Sequence, residues 1–322
     1  MTEPSEACAG ARPLVLLALY QGAAHLDAQL DSLAAQRGGA LPVLVSDDGS
    51  RDGGREIVAR HARRAAEEGR PPITLTDGPR AGAAANFLHL LRLAPPDACA
   101  ASLSDQDDVW LPDKTARALA ALAAVPDGTP AVHCGRTWIA DARGRVLRPC
   151  PLHARPPSFA NALVQSLAGG NTMTLNRAAL ALLGAASSEA EAAGGVVAHD
   201  WWIYQMVTGA GGLMLYDPEP LLLYRQHAAN EIGENTSPGA LARRAAMVAR
   251  GRFRDWSEIN LRALEASRHR LTPEARDTLD GFAALRRAPR LQRLGRLRAL
   301  GLRRQTRAGD AALRAAALLG RV

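Results

Sequence analysis

The stretch 13-PLVLLALYQGAAHLDAQLDSLAAQ-36 joins two different periodicities. PLVLLALY is a continuous apolar run of buried-strand length, whereas Leu26, Leu30 and Leu33 recur at helical spacing. The same alternation repeats downstream. LPVLVSDDGS (41–50) reads as a strand ending in Asp and Gly, a helical segment runs from about Arg55 to Glu68, and ITLTD (73–77) is a third strand. A loop from Gly78 to Gly82 leads into the helix ANFLHLLRL, and Cys99 to Leu103 makes a fourth strand. This βαβαβαβ order predicts an α/β fold with a parallel, doubly wound sheet. Its ligands belong at the carboxyl ends of the strands.

Those ends are acidic. Asp47 and Asp48 close the second strand, and 102-SLSDQDDVWLPDK-114 places Asp105, Asp107, Asp108 and Asp113 behind the fourth. Capping of a following helix accounts for Asp113. It accounts less well for three carboxylates within four residues, which repel one another unless water or a cation screens them.

The next third of the chain changes pattern. AVHCGRTWIAD and RVLRP flank a turn-like ARG and predict a hairpin, while NTMTLNRAALALLG reads as a strand entering a helix. HDWWIYQMVTG is helical, and GLMLYDPEPLLLYRQH reads as two short strands split by a Pro-rich turn. After Ser237 the composition shifts to Ala, Arg and Leu, which predicts helices interrupted near Pro273 and Pro289.

Composition limits the alternatives. In 322 residues that are 47% hydrophobic there is enough apolar material for one large domain with an appendage, or for two domains. No apolar run approaches the ~20 residues of a membrane span, the N-terminus lacks a leader pattern, and the four cysteines lack CxxC spacing, so the chain reads as cytoplasmic. The net charge of +7 conceals an asymmetry: from Gly281 onward eleven arginines face one acid, giving +10 against −3 for the remainder. Such a block can meet phosphate on a nucleic acid or a lipid headgroup. Lys114 is the only lysine.

Taken together, PLVLLALYQGA, VLVSDDGSRDG, AGAAANF, SDQDDVWLPDK, GGNTMTLNR, HDWW and YRQH stand in the order seen in inverting family-two glycosyltransferases. From about Arg12 to Asn230 the chain most resembles their rhamnosyltransferase-like branch. The resemblance implies a GT-A fold, a Rossmann-like doubly wound mixed sheet spanning 12–235. An Arg-rich, mainly helical C-terminal extension follows over 236–322. It also implies transfer of a sugar from a nucleoside diphosphate sugar with a divalent cation, Mg²⁺ or Mn²⁺. The donor would be a dTDP- or UDP-sugar, with dTDP-L-rhamnose the sugar suggested by the branch, and the acceptor a glycan or lipid-linked saccharide.

The resemblance also assigns roles. Asp107 is the metal carboxylate, and Asp105 faces the donor ribose or the outer coordination sphere of the metal. Asp108 assists through bound water or caps the next helix. Asp48 accepts from the imino N–H of uracil or thymine, Leu19 and Tyr20 pack the nucleoside, and Gly82 to Asn86 runs close to the nucleotide, unless Asn86 simply caps its helix. The usual Thr or Pro before the tyrosine is absent. Where the family carries an acidic pair, this chain has His199-Asp200, which leaves Asp200 as the base for the acceptor hydroxyl or as a helix cap. Trp201 and Trp202 form an apolar wall, a stacking face for a sugar, or plain core. His227 falls on the diphosphate-metal side, Arg225 meets phosphate or a surface ion pair, and Gly169 to Thr172 lies near the sugar or acceptor.

Other classes explain less. A nucleic-acid binder would use the Arg block, but that block lacks interleaved aromatics and leaves the acidic strand ends unexplained. A nucleotidyltransferase lacks its Gly-rich, Lys-containing triphosphate loop. A non-catalytic sugar-nucleotide binder shares nearly all of these residues and differs only in turnover. In the tail, LRRAPRLQRLGRLRALGLRR alternates Leu and Arg. It suits either peripheral contact with a membrane or a helix that packs its Leu stripe on the domain.

Overall fold

A computed structural model describes residues 13–226 and 252–322. Among the described residues the sheet has nine strands: β1 (Leu14–Leu19), β2 (Val43–Asp47), β3 (Ile73–Asp77), β4 (Ala100–Ser104), β5 (Val109–Trp110), β6 (Ala131–Ala140), β7 (Val146–Pro149), β8 (Thr174–Asn176) and β9 (Leu213–Arg225). Their spatial order is β3-β2-β1-β4-β8-β6-β9-β5, with β7 on β6. Pairings among β3, β2, β1 and β4 are parallel, as the alternating periodicity predicts. Beyond β4 the sheet is mixed: β8 runs antiparallel to both β4 and β6, and β9 is parallel to β6.

The crossovers are α1 (Ala23–Ala34), α2 (Gly54–Glu67) and α3 (Ala83–Leu93), followed by α4 (Lys114–Ala123), the single turn α5 (Phe159–Ala162), α6 (Arg177–Ala192) and α7 (His199–Gly209). One face of the sheet packs Val15, Leu17 and Val45 against Leu26, Leu30 and Val58 of α1 and α2. The other packs Leu16 and Leu103 against α3, α6 and α7, where Phe87, Trp202 and Tyr204 are fully buried. Each such side chain contributes roughly 1.5–3 kcal/mol through removal of apolar surface from water.

The C-terminal part forms α8 (Arg252–Ala266), α9 (Pro273–Arg287), α10 (Arg290–Ala299) and α11 (Arg307–Leu319). The breaks fall at the expected prolines: Pro273 starts α9 behind a Thr272 cap, and Pro289 precedes α10. Leu264, Leu279, Phe282 and Leu313 enter the same core as α3 and α7. The Arg155–Asp310 ion pair at 2.7 Å and the Arg270–Glu189 pair at 2.6 Å tie these helices to the sheet domain. The boundary read at 235/236 falls outside the described residues.

Two local readings need correction. The segment read as two strands with a Pro-rich turn is one strand with a bulge. Gly135 pairs with Asp217 and Arg136 with Pro220, so Pro218 and Glu219 are extruded while the chain keeps its direction. The Asp217 carboxylate holds the bulge, accepting from the Glu219 N–H at 2.9 Å and pairing with Arg117 at 2.7 Å. Asp113 does sit ahead of α4 but makes no capping bond. Its carboxylate turns instead to Arg37, both oxygens accepting from Nη1 at 2.9 Å.

Candidate functional site

The parallel register brings the acidic strand ends together. Leu19 lies opposite Asp47, Asp47 opposite Asp77, and Leu17 opposite Ser104. The candidate residues at these strand ends therefore converge at the carboxyl end of the parallel strands.

At the end of β2 the two aspartates face different tasks. Asp47 is buried and pairs with Arg55 at 2.8 Å. Burial pushes its carboxyl up, but hydrogen bonds from Ser50 and Arg55 outweigh burial and leave it below the ordinary value. Asp48 is anchored by its own N–H, which donates to the Leu19 carbonyl at 2.8 Å. Its carboxylate accepts from the Arg80 N–H at 2.6 Å and the Gly82 N–H at 2.8 Å. It thus organises the loop that opens α3, where Gly82 adopts φ 90°, a conformation that favours glycine. Each carboxylate oxygen keeps further acceptor capacity.

Asn86 is not a helix cap. It is 1% exposed; its amide donates to the Ser46 carbonyl at 2.8 Å and accepts from the Ser46 hydroxyl at 2.5 Å, which fixes α3 on β2. Leu19 is fully buried and Tyr20 is 56% exposed, so only the tyrosine offers a face to a ligand.

Asp105, Asp107 and Asp108 each present an oxygen within 4.8 Å of the others. Asp108, read from sequence as an auxiliary or a cap, is the buried member. One of its oxygens accepts from Asn171 Nδ2 at 2.6 Å, and the other, Oδ1, has no hydrogen-bond partner among the described residues. Burial, then the negative charges of Asp105 and Asp107, hold its carboxyl well above the ordinary range. A hard divalent cation would relieve both the repulsion and the orphaned oxygen. The three residues therefore fit such an ion by donor type, spacing and unmet need.

Three residues without an assigned role shape this loop. Gln106 clamps it to the end of β1, accepting from the Tyr20 N–H at 2.7 Å and donating to the Tyr20 carbonyl at 2.8 Å. A Cβ on Gly22 would stand 2.3 Å from the Gln106 oxygen, which explains glycine in YQGA. Lys114, the sole lysine, is 1% exposed with its Nζ 3.6 Å from the Trp110 ring centroid and no hydrogen-bond partner among the described residues. Desolvation lowers its pKa to about 7 against the pull of the Asp108 charge. Sequence signals for both existed: Gln106 as the one neutral side chain among the three carboxylates, and Lys114 as the single exception to an all-Arg cation usage.

Arg225 is buried beneath the loop, donating to the Asp107 carbonyl at 3.1 Å and the Ala142 carbonyl at 3.1 Å. It supports the carboxylates from behind. His227 lies outside the described residues.

The turn Gly170–Thr172 links the cluster to α7. Asn171 holds Asp108, and a Cβ on Gly170 would stand 2.0 Å from His199 Nε2. His199 stacks on Phe87 at 3.8 Å, and burial drives its pKa down to about 3, so its ring is neutral. The next residue, Asp200, accepts from the Trp201 N–H at 2.6 Å. Its pKa is raised to about 6, burial outweighing that hydrogen bond. A carboxylate poised there suits proton abstraction near neutrality. Trp201 and Trp202 are core residues: both are buried, and Trp201 Nε1 donates to the Ala162 carbonyl at 2.6 Å.

Residues 15–149, less than half of the chain, match the model of Glycosyl transferase family 2. The architecture is a GT-A fold with a helical C-terminal region. Among solved structures it is similar to S. aureus TarS 1-349 in complex with UDP-GlcNAc, at 13% identity and TM-score 0.50, over 79% of this chain and 73% of that one. With TarS 1-349 in complex with UDP the values are 14% and 0.51, over 83% and 69%. A longer S. aureus TarS structure matches at 13% and 0.52 over 85% of this chain, which spans only 43% of that protein. These are likenesses of fold. No curated protein matches the sequence.

Proposed function

We propose that the protein is an inverting glycosyltransferase that moves a sugar, L-rhamnose by branch resemblance, from a dTDP- or UDP-sugar to a hydroxyl of a glycan or lipid-linked saccharide. The observation that carries this reading is the carboxylate cluster at the ends of parallel strands, with one buried oxygen unpaired and its Asn171 donor in the turn whose Gly170 lies against His199, the residue before Asp200. Asp107, with Asp105 and Asp108, would hold Mg²⁺ or Mn²⁺. When bound, the ion supplies positive charge against the diphosphate as negative charge develops there.

The remaining chemistry belongs to the chain. Asp200 takes the acceptor hydroxyl proton while that oxygen attacks the anomeric carbon, and the bond to the diphosphate breaks with inversion. Asp48 selects a pyrimidine by accepting from its imino N–H with capacity left over from the Arg80 and Gly82 bonds. Tyr20 packs the nucleoside, and the loop from Gly82, pinned by Asn86, lines its path. Arg225, which donates to the Asp107 carbonyl, holds Asp107 in place and is the guanidinium assigned to phosphate.

Peripheral contact with the inner face of a membrane is part of this reading. No helix among the described residues is long and apolar enough to cross one. α10 supports surface contact: Leu291 is 87% exposed and Leu294 36%, and only Leu297 of that stripe is buried.

Calorimetric titration of UDP, dTDP and GDP, each with Mn²⁺ and with EDTA, tests the donor site. Metal-dependent binding of UDP or dTDP that disappears in Asp107→Asn is expected. Absence of nucleotide binding to a folded wild type would overturn the proposal, and binding without turnover on any acceptor would leave a sugar-nucleotide binder.

A further inference from the structure

A second concentration of charge lies far along the chain from the carboxylate edge. Between α8 and α9 runs a cleft of about 610 Å³ lined by Arg254, Arg262, Arg286 and Arg287, with Glu258 and Glu265. Both acids are committed, Glu258 to Arg286 at 2.7 Å and Glu265 to Arg268 at 3.3 Å. Arg286 is built into the wall, donating also to the Val322 and Arg254 carbonyls at 3.0 and 3.1 Å. Desolvation, and beyond it the like charges of Arg254 and Arg287, lower its pKa from the ordinary arginine value. Arg254, Arg262 and Arg287 are exposed and make no ion pair among the described residues.

An open cleft with three uncommitted guanidiniums and no free carboxylate is suited to phosphate, whose oxygens match the guanidinium fork. Its surroundings identify the carrier. Arg287 ends α9, and three residues on α10 begins with Arg290 and the exposed Leu291 and Leu294. α10 carries four arginines and no acid, and Arg293 fastens it to the Ala288 and Ala317 carbonyls at 2.8 and 3.0 Å. Phosphate recognition next to an anchored helix with bare leucines matches the headgroup and acyl boundary of a bilayer.

We propose that the α8–α9 cleft binds the phosphate of anionic lipid headgroups while Leu291 and Leu294 enter the adjoining apolar layer. The inference rests on the membrane part of the proposed function and is independent of the donor site.

The test is cosedimentation of the full chain with vesicles of phosphatidylcholine alone or mixed equally with phosphatidylglycerol, at physiological salt. Wild type should sediment only with the mixed vesicles. The triple change Arg254→Gln, Arg262→Gln, Arg287→Gln should weaken this by about 100-fold, given the usual contribution of each Arg near an anionic surface. Arg303→Gln, Arg307→Gln, Arg314→Gln removes equal charge elsewhere and should cost less than tenfold by that proposal. Melting curves and nucleotide titration, run on every variant, should match wild type.

Equal losses in the two triple variants would overturn the cleft and leave diffuse attraction. A wild type that ignores both vesicles would overturn the lipid occupant and the membrane reading together, whether it binds inorganic phosphate, poly(U) or neither. Mixed-vesicle binding unchanged in the cleft variant would overturn the cleft while keeping membrane contact.

Discussion

The carboxylate edge and the arginine face are both charge clusters, yet the protein treats them in opposite ways. Asp47, Asp48 and Asp108 are buried, and among the described residues each of their carboxylate oxygens has at least one donor except Asp108 Oδ1. The arginines at 254, 262, 287, 290, 296 and 298 stand in solvent. Burial makes each misplaced charge expensive, so the edge tolerates one geometry and one kind of occupant. Exposed charges interact weakly one by one and act through their sum. The edge therefore has the character of a site for a small ligand, and the arginine face that of a docking surface.

Several experiments can break that contrast, beginning with the largest effect. If Asp200 is the base, Asp200→Asn lowers turnover by about 10²–10⁴-fold while nucleotide binding is retained. Wild-type turnover should rise with pH through about 6, where the Asp200 carboxyl loses its proton. The stability sign runs the other way. The folded state holds that proton more tightly than the unfolded chain, so stability is lost as pH rises through about 6. Asp200→Asn should therefore melt at the wild-type temperature or higher at pH 8. A variant that is equally active, or that melts lower because a helix cap was lost, would return Asp200 to a structural role.

Next in size, Asp107→Asn or Asp108→Asn should weaken metal-dependent nucleotide binding on the order of 100-fold, reflecting several kcal/mol of lost charge stabilisation. Vesicle binding should be untouched, and any parallel loss of both would erase the distinction between the two regions. Gly170→Ala places a methyl against His199 Nε2, 2.0 Å away before any adjustment. Overpacking of this kind costs about 1–3 kcal/mol, and because the strain falls beside Asp200 the expected loss in turnover exceeds the loss in nucleotide affinity, as steady-state kinetics with calorimetry would reveal.

The smallest effect is expected at Lys114. Its ammonium is desolvated, so the folded state disfavours the charged form below a pKa of about 7, and that penalty fades as pH rises toward the ordinary lysine value. Lys114→Met should raise the melting temperature at pH 6, by roughly 1 kcal/mol of stability, and less at pH 9. A strong loss of nucleotide binding in that variant would show that the buried cation positions the carboxylate loop.

Much of this was legible without coordinates. Strands β1 to β4 and their crossovers follow from the switch between apolar runs and helical spacing, since a parallel strand must be buried on both faces. The acidic strand ends follow from those boundaries, and the C-terminal breaks from Pro273 and Pro289. The bulge in β9 is hidden from the sequence because Pro218 and Pro220 signal a turn locally, and only pairing with β6 keeps the chain extended. The pairing of Asp113 is hidden too, because its partner, Arg37, is distant in sequence.

The sequence by itself determined the order of elements, the chemical type of each strand end and the concentration of arginine in the last helices, because these depend on local periodicity and composition. Tertiary structure alone decided which of three adjacent aspartates is buried, that Gln106 clamps the loop to Tyr20, that Asn86 pins α3 rather than capping it, and that α10 leaves Leu291 bare. Each of these depends on a partner many residues away, and the free energy of burying a charge or a leucine is a property of the surroundings rather than of the residue.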